Sequence, residues 1–278
     1  MTSQVYETLK TSAVDRVVTP QEKLRYLQTK LMRNLLGLLF LRELAITPMH
    51  GYAITPKIES CYGYKTNRTY FYLSRFAANN LVDKKEEFHG KRKRNLYNVT
   101  LKGMRVLKYS YYELARLTNN KEFFASANNY GNNALNVNER TKIKKKIFSS
   151  ILEILILQLL EKKPRNCYNV LTGLRKLYEP NVRTSMVYPR VYRLAEKKLI
   201  KKQWRIEEQP RNENIIDGQG NVESIIILNP GRGKRKPQNH SISVKEEYTV
   251  TELGNEELDA GQELIRRLVE LPKFNLSH

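Results

Sequence analysis

The sequence predicts an α+β chain, mostly helical with small β hairpins, in which one structural unit occurs twice. Three observations predict it. Helical stripes of apolar residues alternate with short paired strand patterns. The stretch Thr184–Ile200 has a gapless counterpart at Thr66–Val82. Each copy is followed by a strand, a turn rich in cations, a second strand and a long amphipathic helix.

In chain order, residues 1–18 carry no periodic pattern and read as a loose arm. The first unit spans 19–118. Thr19-Pro20-Gln21-Glu22 is a helix start, with Thr19 as cap, Pro20 at the first helical position and Glu22 closing a capping box. Leu24, Leu27, Leu31, Leu35 and Leu38 continue one stripe to about Glu43. A break is expected near Asn34–Gly37, where the pattern becomes apolar all round. The part before the break is a candidate dimerisation helix.

Tyr52 to about Tyr62 is a short helix with Ile54, Ile58 and Cys61 inward, ended by Gly63. Thr66–Asn80 is the third helix. A strand from Leu81 to Phe88, a cationic turn at His89–Arg94 and a strand at Asn95–Thr100 form a hairpin. In the helix Leu101–Leu117, Met104, Leu107, Tyr111 and Leu114 follow a 3-4-3 spacing. That seam fits either a partner chain or the first helix of its own unit.

Residues 119–140 hold eight asparagines and one glycine, composition that supports turns but no core. They are assigned as a linker. The second unit then covers 141–278, with helices at Lys142–Leu160, Tyr168–Tyr178 and Thr184–Lys198. A strand follows at Leu199–Glu208 with Trp204 expected to pack on the body. The returning strand is Val244–Thr251 and the closing helix Glu252–Leu271. The hairpin region, about 201–247, is extended by an insertion.

The repeat is detailed. Thr66, Tyr70, Arg75, Ala77 and Leu81 fall on Thr184, Tyr188, Arg193, Ala195 and Leu199. Tyr97-Asn98-Val99-Thr100 falls on Tyr248-Thr249-Val250-Thr251, and Gly103 on Gly254. Each copy places Gly-Lys-Arg-Lys between these anchors, at Gly90–Lys93 and Gly233–Lys236. The spacing of 16 from Leu81 to Tyr97 becomes 49 from Leu199 to Tyr248, so the extra length lies in the second hairpin, where a loop tolerates it. Helix, helix, helix, strand, charged turn, strand, helix is the order of a winged helix. The chain is therefore expected to hold two tandem winged helix-turn-helix domains.

These motifs resemble the PadR-like transcriptional regulators. Leu35-Leu36-Gly37-Leu38-Leu39 followed by Met49-His50-Gly51-Tyr52 is similar to the family's opening. Val187-Tyr188-Pro189-Arg190-Val191-Tyr192-Arg193-Leu194-Ala195-Glu196 is similar to its recognition helix, and both hairpins resemble its wing. The resemblance covers most of 33–118 and 145–271. It implies DNA-binding regulation without a cofactor. A small-molecule effector is conceivable in such a family, but no residue pattern here indicates one. The chain departs from the family in carrying Phe71 where proline is usual, Asn166-Cys167 in place of His-Gly, and two winged helices where one is usual.

Composition agrees with a nucleic-acid partner. The chain has 49 basic and 28 acidic residues, net +21, which predicts an anionic partner. No apolar run reaches the length of a membrane span, and residues 1–16 lack the apolar core of a signal peptide. Two cysteines make neither a disulfide framework nor a zinc site. No nucleophile–base set or metal-ligand spacing is present, so neither enzyme, metal nor cofactor is expected. The location expected is cytoplasmic, on the nucleoid.

On this reading double-stranded DNA meets the third helix of each unit, which enters a major groove, and the wing, which follows the backbone. In the first unit the assigned residues are Thr66, Asn67, Arg68, Tyr70, Ser74 and Arg75, with Phe71 also outward. In its wing they are Lys91, Arg92, Lys93 and Arg94. In the second unit they are Arg183, Thr184, Ser185, Tyr188, Arg190, Tyr192, Arg193 and Lys197, with Pro189 outward. In the second wing they are Arg232, Lys234, Arg235 and Lys236. The candidate dimerisation set is Leu24, Leu27, Leu31, Met104, Leu107, Tyr111 and Leu114. A homodimer through the terminal or linker-flanking helices is one option. Transcriptional regulation, repressor-like, is the leading reading. Plasmid or viral replication and partition, a chromatin-like architectural role and a protein-interaction scaffold are the alternatives.

Overall fold

A computed structural model describes residues 25–89, 91–118, 135–207 and 243–269. Helix α1 is Tyr26–Ile46. Strand β1 (Met49–His50) leads into α2 (Gly51–Tyr62) and α3 (Thr69–Ala78). Strands β2 (Val82–His89) and β3 (Arg92–Val99) form a hairpin, followed by α4 (Leu101–Thr118). The second half runs α5 (Val137–Lys162), α6 (Cys167–Leu177), α7 (Thr184–Glu196), β4 (Ile200–Glu207), β5 (Ser243–Val250) and α8 (Glu252–Val269). The first sheet has the order β1-β3-β2, with Met49 opposite Tyr97 and Val82 opposite Val99. The second is β4-β5 with Ile200 opposite Val250, and an isolated bridge joins Arg165 to Tyr248. That bridge stands where Met49 meets Tyr97 in the first half.

The two halves repeat one another bond for bond around the junction of third helix, hairpin and last helix. Asn80 (φ 55°) and Lys198 (φ 59°) both take the left-handed conformation. The amides of Thr100 and Thr251 donate to Leu81 O (3.1 Å) and Leu199 O (3.0 Å). Their hydroxyls donate to Asn80 O and Lys198 O at 2.7 Å each. Gly103 and Gly254 sit against those same leucine carbonyls. A Cβ would stand 2.1 Å from Leu81 O in one and 2.0 Å from Leu199 O in the other.

Helix α1 is unbroken. The break expected near Asn34–Gly37 is absent because Leu35–Leu41 are covered on every side, by α2 and α3 of the first half and by α5 and α8 of the second. Gly37 serves close approach instead: a Cβ there would lie 3.0 Å from the Tyr72 ring. The expected start at Thr19–Glu22, and Leu24, lie outside the described residues. The observed N-terminus is capped from far along the chain. The Glu257 carboxylate of α8 accepts the amides of Tyr26 (3.0 Å) and Leu27 (2.8 Å). Helix α5 starts earlier than the expected Lys142. Asn136 accepts from Glu139 N (2.9 Å) while the Glu139 side chain accepts from Asn136 N (3.2 Å), a capping box inside the asparagine-rich stretch.

One continuous apolar core runs through both halves. Helices α1, α4, α5 and α8 pack together at its centre, α1 against α8 and α4 against α5. This corrects the dimerisation assignment. Leu27, Leu31, Leu107, Tyr111 and Leu114 are buried, and Met104 packs half-buried against the same core. The partners for their seam lie within the chain: α4 packs on α1 of its own half as well as on α5 and α8 of the second.

Two further expectations are corrected. Cys61 is exposed, because it falls on the outer side of α2 while Tyr62 fills the core position. Trp204 is 62% exposed, with the Lys202 ammonium 4.5 Å over its ring. It shares a strand face with the buried Ile200 but lies four residues further along the hairpin.

Candidate nucleic-acid interface

Helix α3 is held by its inner face. Thr69, Leu73 and Phe76 are buried, and the Thr69 hydroxyl meets the Thr55 hydroxyl of α2 at 2.5 Å. The helical period then leaves Tyr70 (62% exposed), Phe71 (61%) and Ser74 on the outer face. Asn67 and Arg68 are exposed just before the helix, and Arg75 in its last turn. Thr66 is half-buried and accepts the Arg68 amide at 3.2 Å, so it shapes the entry to the helix.

Helix α7 has the same build. Val187, Val191 and Leu194 are fully buried. Arg183, Thr184, Ser185, Pro189 and Tyr192 are exposed, and Tyr188 is half-buried, edge-on to Tyr192 with 6.4 Å between centroids. Pro189 supplies no amide to the Ser185 carbonyl. The arginines differ from expectation. Arg190 is half-buried and donates to Met186 O (2.7 Å) and Ser149 Oγ (3.2 Å). Arg193 lies 3.7 Å from the Glu153 carboxylate, although its side chain keeps 49% exposure. Lys197 stands 5.6 Å above the Tyr26 ring. Arg190 and Arg193 therefore point toward α5 as well as toward solvent.

In the first wing, His89 pairs with Arg92, so Arg92, Lys93 and Arg94 belong to β3 and not to a turn. Lys91, Arg92 and Lys93 are exposed. Lys93 pairs with Glu86 at 2.6 Å, and that hydrogen bond lowers the Glu86 pKa. Arg94 is turned back onto α2: it donates to Tyr52 OH at 3.1 Å and covers that ring at 5.3 Å. Tyr52 in turn stacks on His50. Arg232, Lys234, Arg235 and Lys236 lie outside the described residues.

The outer faces of α3 and α7 thus combine hydroxyls, an amide and aromatic rings with arginines at the margins, each beside a hairpin of lysine and arginine. Groups of these kinds can donate to phosphate oxygens.

Residues 40–109 match the transcriptional regulator PadR-like family.

The PadR-like match runs from the second half of α1 through β1, α2, α3 and the β2–β3 hairpin into α4. It supports a DNA-binding, PadR-like winged-helix regulator. No curated protein and no solved structure matches the chain. Among the described residues no group of histidine, cysteine and acidic side chains is arranged to hold a metal. No helix among them is long and apolar enough to cross a membrane.

Sequence reasoning missed Lys30 and Lys146. They line one groove with Arg190 and Arg193. Both sit on helices whose apolar stripes dominated the pattern. The available signal was their equivalence: the offset that carries Met49 to Arg165 also carries Lys30 to Lys146.

Proposed function

We propose that this chain is a repressor-like transcriptional regulator whose two halves are both winged helices, joined as a covalent pseudo-dimer on double-stranded DNA. The observation that carries this reading is the matched geometry of the two halves, down to the threonine, glycine and left-handed residues that fix each third helix against its hairpin. The shared bundle of α1, α4, α5 and α8 supports it, since that bundle occupies the place a dimer interface would take.

The third helices carry different outer residues, Asn67, Tyr70, Phe71 and Ser74 against Ser185, Tyr188, Pro189 and Tyr192. One chain is therefore expected to prefer an asymmetric site whose halves lie about 34 Å apart, one turn of DNA. Genome-wide occupancy mapping, followed by footprinting of the top site with purified protein, tests this. A single protected region at promoters, bound by one chain per duplex in sedimentation, is the expected result. Two chains per symmetric palindrome, or protection only of repeated origin sequences, would refute it.

A further inference from the structure

Helices α1, α5 and α7 enclose an open groove of about 450 Å³ at the junction of the two halves. Four cations line it: Lys30 from α1, Lys146 from α5, and Arg190 and Arg193 from α7. Its one acidic lining residue is Glu153, whose side chain is 5% exposed. Glu153 Oε1 accepts from Lys30 Nζ and also faces Arg193 at 3.7 Å, so this single carboxylate is shared between two cations. Arg190 is held by a carbonyl and a hydroxyl, neither of which carries charge. Lys146 has no acidic partner among the described residues. Desolvation, with Arg75 of α3 adding to it, lowers the Lys146 pKa, while the residue keeps solvent access.

The groove lies where equivalent positions of the two halves meet. Asn34 Nδ2 donates to Ser150 O at 3.2 Å, and the offset between the halves carries Asn34 to Ser150 and Lys30 to Lys146. The helices α1 and α5 therefore cross at their own equivalent positions. Helix α7 lines the groove directly, and the charge of Arg75 on α3 acts on Lys146. The groove thus adjoins the third helix of the second half where the two halves meet. Like charges gathered at such a place are stabilised by an anion of fitting size.

We propose that this groove is a phosphate-binding site and that it seats a backbone phosphate of the DNA stretch between the two half-sites. The choice of DNA over a free phosphate compound rests on the reading of both third helices as DNA-binding. Glu153 moderates the site. Its counterpart in the first half is Gly37, so the acid belongs to the second half alone, where it draws Lys30 and Arg193 inward.

The test is anisotropy with a labelled mixed-sequence duplex of about 30 bp, long enough for two half-sites one turn apart, read as affinity against salt. Each lost phosphate contact lowers the log–log slope by about 0.9, which is roughly an eightfold loss at 0.1 M salt. Lys146→Ala is expected to show that loss. Glu153→Gln keeps an acceptor for Lys30 and is expected to tighten binding more than Glu263→Gln. The latter removes the same single charge on α8, away from the groove. Thermal unfolding of each variant verifies folding.

Calorimetry with pyrophosphate forms the second arm. An unchanged salt slope in Lys146→Ala, with pyrophosphate saturating the wild type but not that variant, would make a free phosphate compound the ligand and keep the phosphate site. An unchanged slope without saturable pyrophosphate binding would overturn the site. If the wild type shifts no duplex at low salt, the proposed function fails, and the pyrophosphate arm alone decides the groove.

Discussion

Asn67 and Arg92 represent two kinds of contact at the residue scale. Both are exposed and neither has a side-chain partner in the described structure. Asn67 begins the α3 face, where an amide side chain can read adenine bidentately. Asn67→Ala is expected to cost about 1–3 kcal/mol on the preferred sequence and to relax selection at one position. Arg92→Ala should instead weaken all duplexes alike and lower the salt slope by about 1. Selection from a randomised pool and salt titrations separate the two. Away from the interface, Glu263 accepts from Arg266 and Arg267 at 2.7–2.8 Å. These bonds, that from Arg266 foremost, hold its carboxyl at about 2, down from 4.5. A carboxylate lowered in the fold stabilises it above its ordinary pKa, and the contribution disappears as pH falls toward 2. Because Glu263 is 38% exposed, solvent screening limits this to about 1 kcal/mol or less. Unfolding free energies of wild type and Glu263→Gln should therefore converge between pH 4.5 and 2.

The junction of third helix, hairpin and last helix carries the argument at the element scale. Gly103 and Gly254 let the start of α4 and of α8 touch the carbonyls of Leu81 and Leu199. Neither carbonyl can retreat, since each already accepts the amide of Thr100 or Thr251. Gly103→Ala and Gly254→Ala should each destabilise by about 1–3 kcal/mol or more, measured by urea unfolding. Comparable costs at the two sites are expected if the halves are the same unit. A cost at one site alone would count against the repeat.

These elements were legible in sequence because their signals are local. Apolar residues at three- and four-residue spacing marked α3 and α7, and the Tyr-x-Val-Thr runs marked β3 and β5. Cys61 was misread because a two-residue choice between Cys61 and Tyr62 depends on how α2 is rotated against α1. Trp204 was misread because a large apolar side chain suggests burial, and its strand parity matches that of the buried Ile200, whereas its place four residues further along the hairpin leaves it exposed. Arg94 and Arg190 could not be sorted from the other cations by sequence, since their partners, Tyr52 and Ser149, are about forty residues distant.

The defining feature of the whole molecule is that the two halves share a core. Glu257 of α8 caps α1 across 230 residues of chain, and Arg25 reaches Glu256 at 2.9 Å beside it. Glu257→Ala would leave two helix-terminal amides without acceptors, at a cost of about 2 kcal/mol. Amide exchange in α1 should accelerate together with that in α8, because the lost cap joins them. If α1 alone loosens, the halves are coupled by apolar packing and not by this cap.

Residue order alone fixed the sequence of elements, the internal correspondence between the halves and the basic character of the third helices and hairpins. Those properties reside in residue type and short-range spacing, which a chain carries whatever its tertiary path. Only the tertiary structure decided where the long apolar helices turn. The 3-4-3 seam of α4 and the leucine stripe of α1 specify a surface that must be covered, but an apolar surface accepts any apolar partner. The structure covers it with the chain's own α5 and α8, and the same crossing gathers Lys30, Lys146, Arg190 and Arg193 from three separate helices into one groove.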